Sequence, residues 1–348
     1  MISFNIEKPN IDLKADIITK INNLNKPKSS LGILEDIAEQ ICLIQQTLSP
    51  TLKNPCHLLF GGDHGIENEG VSASPREVTW QQMINFTKGG GGVNMFCRQH
   101  NFKLFLIDVG VDYDLSNYDL IINKKIANGT NNFLYTPAMS KEQLNQAFIV
   151  GRDIVNGCAE SGCNVICLGE MGIANTSASS MLMHFLGDIP LDKCVGSGSG
   201  INEKQLKHKY ETLQKAAENF KNTNPNPTIY DIIAYFSGFE MAAAIGAMLQ
   251  ACEKKMVVLV DGFIMSACFL AAKKLYPAVE QYAIFGHCGD ESGHKLLLSL
   301  MNARPILNLR LRLGEGTGAL CAYPIIESAV RMVNEMNNFQ NAKITKYF

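Results

Sequence analysis

The sequence predicts a doubly wound α/β fold, a parallel sheet covered by helices on both faces, and three observations carry that prediction. Six short apolar runs recur along the chain, each rich in Val, Ile, Leu or Phe and each parted from the next by helix-like sequence. Their hydrophobicity is continuous rather than alternating, which implies burial on both faces. The first five runs end in a polar or charged residue beside glycine: DHG, DVG, GEMG, DGF and HCG. Any single strand end is polar simply because it emerges into solvent. Five of them together point to one shared crevice, since ligands of open α/β sheets bind outside the carboxyl ends of the strands.

In chain order the runs are CHLLFGGDHG near Leu58, FKLFLIDVGV near Leu106, CNVICLGEMG near Ile166, KMVVLVDGF near Leu259, QYAIFGHCG near Ile284 and RPILNLRLRLGEG near Leu307, giving a mainly parallel six-stranded sheet. The flanks are polar and helical, without strands. Residues 1–35 and 320–348 are therefore expected to pack together as a small helical domain, with 36–319 forming the large α/β domain. MAAAIGAMLQAC, after Glu240, reads as a buried helix. The stretch from Asn219 to Asp231, with Pro225 and Pro227, reads as a loop between two helices. There is no internal repeat and no low-complexity tract.

A chain of 348 residues can bury a sizeable core without disulfides or metal. Lys and Arg number 31 against 33 Asp and Glu, so there is no basic field to attract nucleic acid or an acidic membrane, and an anionic ligand must be caught locally. The eleven cysteines lie scattered in apolar runs with no CxxC, as small buried hydrophobes of a reducing cytoplasm. No signal peptide and no span of about 18 apolar residues is evident, so a soluble cytoplasmic protein is expected.

Two glycine-rich turns suit an anion. In GEMGIANTSAS, Gly172 lets backbone approach a ligand, and Asn175, Thr176 and Ser177 stand where a helix should start; either they cradle a phosphate or Thr176 or Ser177 caps the helix. In CVGSGSGINEKQLKHK, amides near Gly198, Ser199 and Gly200 with Lys209 would hold a phosphate, although a helical lysine also serves as a solvated charge. No acidic residue or strand supports a dinucleotide fingerprint there. Asp63, His64, Asp261, His287 and His294 are a conceivable divalent-metal cluster of a hydrolase, but HExxH and HxH spacings are absent. Glu315, in RLGEGTGALCA, has two roles open to it: a carboxylate capping a helix from about Thr317, or a partly desolvated general base.

At these residues the chain resembles the nicotinate-nucleotide:dimethylbenzimidazole phosphoribosyltransferases of cobalamin lower-ligand synthesis. The resemblance runs through KPKSSLGILEDIAEQI, FGGDHGIENEGVSASPREVT, NFTKGGGGVN, GEMGIANTSAS, CVGSGSGINE, LVDGFIMSA and LRLGEGTGA in order. It implies a Rossmann-like sheet, a small domain built from both termini, a homodimer, and transfer of phosphoribose from nicotinate mononucleotide to 5,6-dimethylbenzimidazole without metal or other cofactor. Glu315 then becomes the catalytic base and Glu170 a second catalytic carboxylate. The phosphoribose side falls to Gly172, Asn175, Thr176, Ser177, Gly198, Ser199, Lys209, Asp261 and Gly289, and the benzimidazole side to Ser74, Gln82 and Leu313. The chain departs from the family pattern at Ala174, where GIGNT is common, at Ser197, where an arginine is common, and at Gly289, where HxS is common. The alternatives are a transferase of the same fold acting on a purine or phenolic acceptor, and a non-catalytic benzimidazole- or nucleotide-binding protein.

Overall fold

The computed structural model describes residues 1–198 and 200–348. Six strands form one sheet: β1 (Cys56–Gly62), β2 (Lys103–Gly110), β3 (Ile121–Asn123), β4 (Val165–Met171), β5 (Val257–Val260) and β6 (Ala283–Phe285). Their order is β3-β2-β1-β4-β5-β6 and every pairing is parallel. β1, β4, β5 and β6 are buried along almost their whole length, as continuous apolar runs require. The chain leaves β1 toward β2 on one side, and β4 then returns to its other side. That reversal opens a crevice between the carboxyl ends of β1 and β4, where Phe60 pairs with Glu170 and Gly61 with Met171.

The strand assignment needs one correction at each end of the list. The run near Leu307 is not a strand; it makes a single parallel bridge to His287, with Leu307 N–H donating to Gly286 O at 3.0 Å. Pro305 offers no N–H, Arg310 turns into the left-handed region at φ 57°, and Leu309 is exposed, so the run cannot be covered on both faces. The sixth strand is instead Ile121–Asn123, on the opposite edge. Three residues with only Ile121 buried give no apolar run to read.

Helix Phe239–Glu253 is buried from Phe239 through Cys252 and packs against β1, β2, β4 and β5, with helix Lys141–Glu160 laid over it. Its Ala- and Gly-rich composition permits that close approach. A five-residue loop, 224–228, separates helices Glu203–Thr223 and Ile229–Phe236. The two chain ends meet: helix Ile33–Gln45 packs on helix Thr317–Glu335, and Leu24 bridges to Asn338. All eleven cysteines are free, nine of them buried. Among the described residues no helix is long and apolar enough to cross a membrane.

Candidate active site

A cleft with about 950 Å³ of empty space opens at the carboxyl ends of the strands. β4 delivers Glu170 and the turn Gly172–Thr176, β5 delivers Asp261, β6 delivers His287 and Gly289, and the segment before helix Thr317–Glu335 delivers Leu313 to Glu315. Gly198 and Lys209 close the far end.

The helix after Glu315 does begin at Thr317, but Glu315 does not cap it: the N-cap is Gly316, without a side-chain cap. Gly314, Glu315 and Gly316 all lie in the left-handed region, at φ 83°, 62° and 78°. For a non-glycine residue this costs on the order of 1–3 kcal/mol. The turn aims the carboxylate across the cleft floor, where Oε2 accepts a hydrogen bond of 3.0 Å from Val93 N–H, in the first turn of helix Gly92–His100. Burial raises the Glu315 pKa, the Val93 amide opposes that, and the charge of Asp261 adds to the rise. One oxygen is thus anchored at a helix N-terminus while the residue borders the ligand space.

Glu170 is buried, and its Oε2 accepts from Asn175 Nδ2. Burial, then the charges of Glu240 and Asp261, push its pKa up to about 8. Asp261 goes the other way. Burial alone would raise it, but Oδ1 accepts from Ala319 N–H at 2.9 Å and lies 3.5 Å from His287 Nε2, and these partners hold it below its ordinary value. Glu170 and Asp261, two carboxyls of one cleft, are thereby driven apart in protonation, the pattern of a site that assigns different proton roles.

At the anion end, Lys209 is 1% exposed, so it is no solvated charge. Its Nζ donates to Thr176 Oγ1 at 2.9 Å and to Gly196 O at 3.2 Å. Burial lowers its pKa to about 8, opposed by the charge of Glu291. Thr176 is in the first turn of helix Asn175–Gly187, which starts from Ala174 in the left-handed region and has no side-chain cap. Neither of the two candidate capping hydroxyls therefore plays that part. Thr176 is held to Lys209, and the fully buried Ser177 Oγ has no partner and does not line the cleft. A buried cation beside a helix N-terminus is a site for a phosphate.

Of the residues read from sequence, Glu315, Glu170, Gly172, Asn175, Thr176, Gly198, Lys209, Asp261, Gly289 and Leu313 line this one cleft. Ser199 lies outside the described residues. Ser74 and Gln82 are not among the lining residues: Ser74 N–H donates to Ser72 Oγ, and Gln82 Oε1 accepts from Asn85 Nδ2. Ser72 lines the cleft instead, two positions from Ser74. Sequence reasoning passed over Glu291 and Arg312, which also line it; a charge next to a glycine-rich turn was the available signal for both. The five candidate metal ligands divide into two groups: Asp63, which accepts from Asp112 N–H, with its neighbour His64, which pairs with Glu240; and Asp261 and His287, after β5 and β6, with His294 at the start of the following helix. Among the described residues no three His, Cys, Asp or Glu are arranged to hold a metal ion.

Fold and cleft together define a class: a Rossmann-like α/β protein with opposed buried carboxyls at one end of its switch-point crevice and an anion cradle at the other. Comparison with known proteins makes this particular. A family model described as Phosphoribosyltransferase matches residues 6–344. The chain is 56% identical to the nicotinate-nucleotide–dimethylbenzimidazole phosphoribosyltransferase of Bacteroides fragilis over 100% of both chains, and 44% identical to that of Dechloromonas aromatica over 99% of both. The crystal structure of CobT from Thermus thermophilus superposes with a TM-score of 0.92 at 32% identity, covering 97% of this chain and 100% of that one. The chain belongs to the nicotinate-nucleotide:dimethylbenzimidazole phosphoribosyltransferase family.

Proposed function

We propose that the protein transfers phosphoribose from nicotinate mononucleotide to 5,6-dimethylbenzimidazole or a related lower-ligand base, giving α-ribazole 5'-phosphate and nicotinate. The observation that carries this reading is the pairing, in one cleft, of the buried Glu315 and Glu170 carboxyls with the Lys209–Thr176 anion end. The phosphate binds at Lys209, Thr176, Gly198 and the N-terminus of helix Asn175–Gly187, with Gly172, Asn175, Asp261 and Gly289 around the ribose and nicotinate. The acceptor ring lies against Leu313 and toward Ser74 and Gln82. Ser177 and Ser199 stay with the phosphate loops as an assignment from the resemblance alone.

The chemistry suits these groups. The bond from C1' to the pyridinium nitrogen breaks with its electron pair going to that nitrogen, which becomes neutral. The acceptor's unprotonated ring nitrogen attacks C1' with its lone pair from the opposite face, inverting it, and Glu315 takes the proton from the ring's N–H nitrogen, leaving the product neutral at the ring. A positioned base of this kind contributes about 10²–10⁴-fold. Positive charge spread over the ribose in the transition state is favoured by the acidic wall of the cleft. Residues 1–35 with 320–348 are read as a helical unit beside the catalytic one. The protein is read as a cytoplasmic homodimer, and the exposed Leu309 supplies apolar surface that a second subunit would cover.

The test is to incubate the purified protein with nicotinate mononucleotide and a panel of benzimidazoles, adenine and phenols, following nicotinate release and riboside phosphate products by mass spectrometry. Glu315→Gln should lose nearly all activity. Full activity in that variant removes Glu315 as the base, and saturable binding without product from any acceptor removes the transferase.

A further inference from the structure

Behind the cleft stands a buried hydrogen-bonded pair that the reaction has not used. Glu240, the second residue of helix Phe239–Glu253, is fully buried, and its Oε1 lies 2.6 Å from His64 Nε2. Glu240 Oε2 and His64 Nδ1 have no partner, so the ring proton given to Glu240 belongs on Nε2. A wall of glycine makes room for the pair. A Cβ on Gly238 would collide with Glu240 Oε2, and one on Gly172 would lie 3.3 Å from both Glu240 Oε1 and His64 Nε2. Gly172 lines the cleft, so a residue without a side chain is all that stands there between the pair and the ligand. A buried carboxylate with an unpaired oxygen is costly and is often replaced by apolar groups without loss, so its presence calls for a reason.

We propose that Glu240 is a positioning residue: held by His64 behind Gly172, its charge keeps a proton on Glu170, so that the cleft presents a hydrogen-bond donor at Glu170 beside the anchored carboxyl of Glu315. Glu170 lies on β4, two residues before Gly172. Asn175 from the next helix bonds to it, the Gly314–Glu315 turn approaches its Oε1, Gly172 two residues on abuts Glu240, and the charges of Glu240 and Asp261, at the end of β5, act on it. His287 is engaged with Asp261, and among the described residues no Lys or Arg bonds to Glu170. A second negative charge in such company is opposed. Asn175 occupies Oε2, so the proton sits on Oε1, the oxygen that a Cβ on Gly314 would approach to 2.6 Å. From there it points toward the turn that carries Glu315.

This inference rests on the reading that Glu170 works in the cleft, and the experiment separates the two. Glutamate side-chain carboxyls are titrated by carbon-13 NMR in the full-length protein, with Glu170 assigned through its loss in Glu170→Gln. Wild-type Glu170 should titrate near pH 8. Glu240→Gln keeps a hydrogen bond to His64 but no charge, and should lower that value by on the order of one pH unit. Glu240→Asp, which restores the charge, should bring it back. His64→Phe takes away the donor that holds Glu240 behind Gly172 and should move the Glu170 titration by an independent route, should Glu240→Gln not fold. The alkaline fall of kcat, read at saturating nicotinate mononucleotide so that the phosphate takes Lys209 out of the titration, should move down in step. An unmoved Glu170 titration in a folded Glu240→Gln or His64→Phe variant overturns the proposal. A titration that moves while the kcat profile stays upholds Glu240's part and removes Glu170 from the reaction.

Discussion

Glu315 Oε2 and Val93 N–H, 222 residues apart in sequence, are joined by a 3.0 Å hydrogen bond. The bond fixes one oxygen of the carboxyl at the positive end of helix Gly92–His100. Burial and the neighbouring Asp261 favour the protonated form, and the helix terminus offsets part of that. Geometry at this joint should therefore govern the base. A Cβ on Gly92 would lie 2.9 Å from Leu313 Cδ2 and 3.3 Å from Glu315 Oε2. Gly92→Ala is expected to displace the Glu315 carboxyl by a few tenths of an ångström and lower kcat by about 3–10-fold, a fraction of the loss that a displacement of a full ångström brings. Steady-state rates checked against an unchanged circular-dichroism spectrum decide this; wild-type kcat in Gly92→Ala would show that the anchor does not position the base.

Glu170 should leave a mark on stability as well. Its carboxyl titrates near 4.5 when unperturbed and near 8 in the fold. Between those values the folded chain holds a proton that the unfolded chain has released, so this residue's contribution makes stability fall as pH rises from 4.5 to 8. Glu170→Gln keeps an acceptor for Asn175 and does not titrate. Its stability relative to wild type should grow across that window by an amount on the order of a few kcal/mol at most, measured by urea unfolding at a series of pH values. A constant difference would mean that Glu170 titrates normally in the fold.

How much of this was legible follows from what each element shows in sequence. β1, β4 and β5 are buried on both faces, and that demands continuous apolar runs. β3 is three residues long at an edge and demands nothing of the kind, while the Leu307 run is apolar but broken by Pro305 and Arg310. Residues at strand ends, such as Glu170 and Asp261, were legible because the switch point gathers them. Glu315 was recognisable as special, but its partner was not: the Val93 amide is backbone, and no side-chain pattern advertises it. Glu240 was hidden for a similar reason, since it enters from the start of a buried helix and reaches the site only through the gap left by Gly172.

Lys209 carries its own pH signature. Burial lowers it to about 8, so free enzyme loses this charge above that pH, and with it the attraction for a phosphate. The KM for nicotinate mononucleotide should rise on the alkaline side of pH 8 while kcat is governed by other groups. Lys209→Met removes the charge at every pH and should raise KM by about 10–100-fold, as the loss of a charge-assisted hydrogen bond of ~1.5–3 kcal/mol implies. Its KM should then be flat across pH 8. An unchanged KM in Lys209→Met would take the phosphate away from this end of the cleft.

The sharpest departure from the family pattern can be tested without any substrate. Ala174 stands where a glycine is common, and the structure puts it at φ 74°, at the N-cap of helix Asn175–Gly187. A left-handed conformation brings Cβ close to the following carbonyl and costs an L-residue about 1–2 kcal/mol. Glycine escapes that cost but has more freedom to lose from the unfolded chain, a penalty of ~0.4–1 kcal/mol. Ala174 is also buried, so its methyl group makes some packing that glycine gives up. The balance favours Ala174→Gly by about 0.5–1 kcal/mol, the net of these opposing effects. The urea midpoint should therefore rise at constant m-value, because the change acts on the folded turn and not on the area exposed by unfolding. Helix Asn175–Gly187 would start from a relaxed turn, and Thr176 would still meet Lys209. A lower midpoint in Ala174→Gly would mean that the methyl contact outweighs the strain, and that this chain has rebuilt its phosphate turn around alanine.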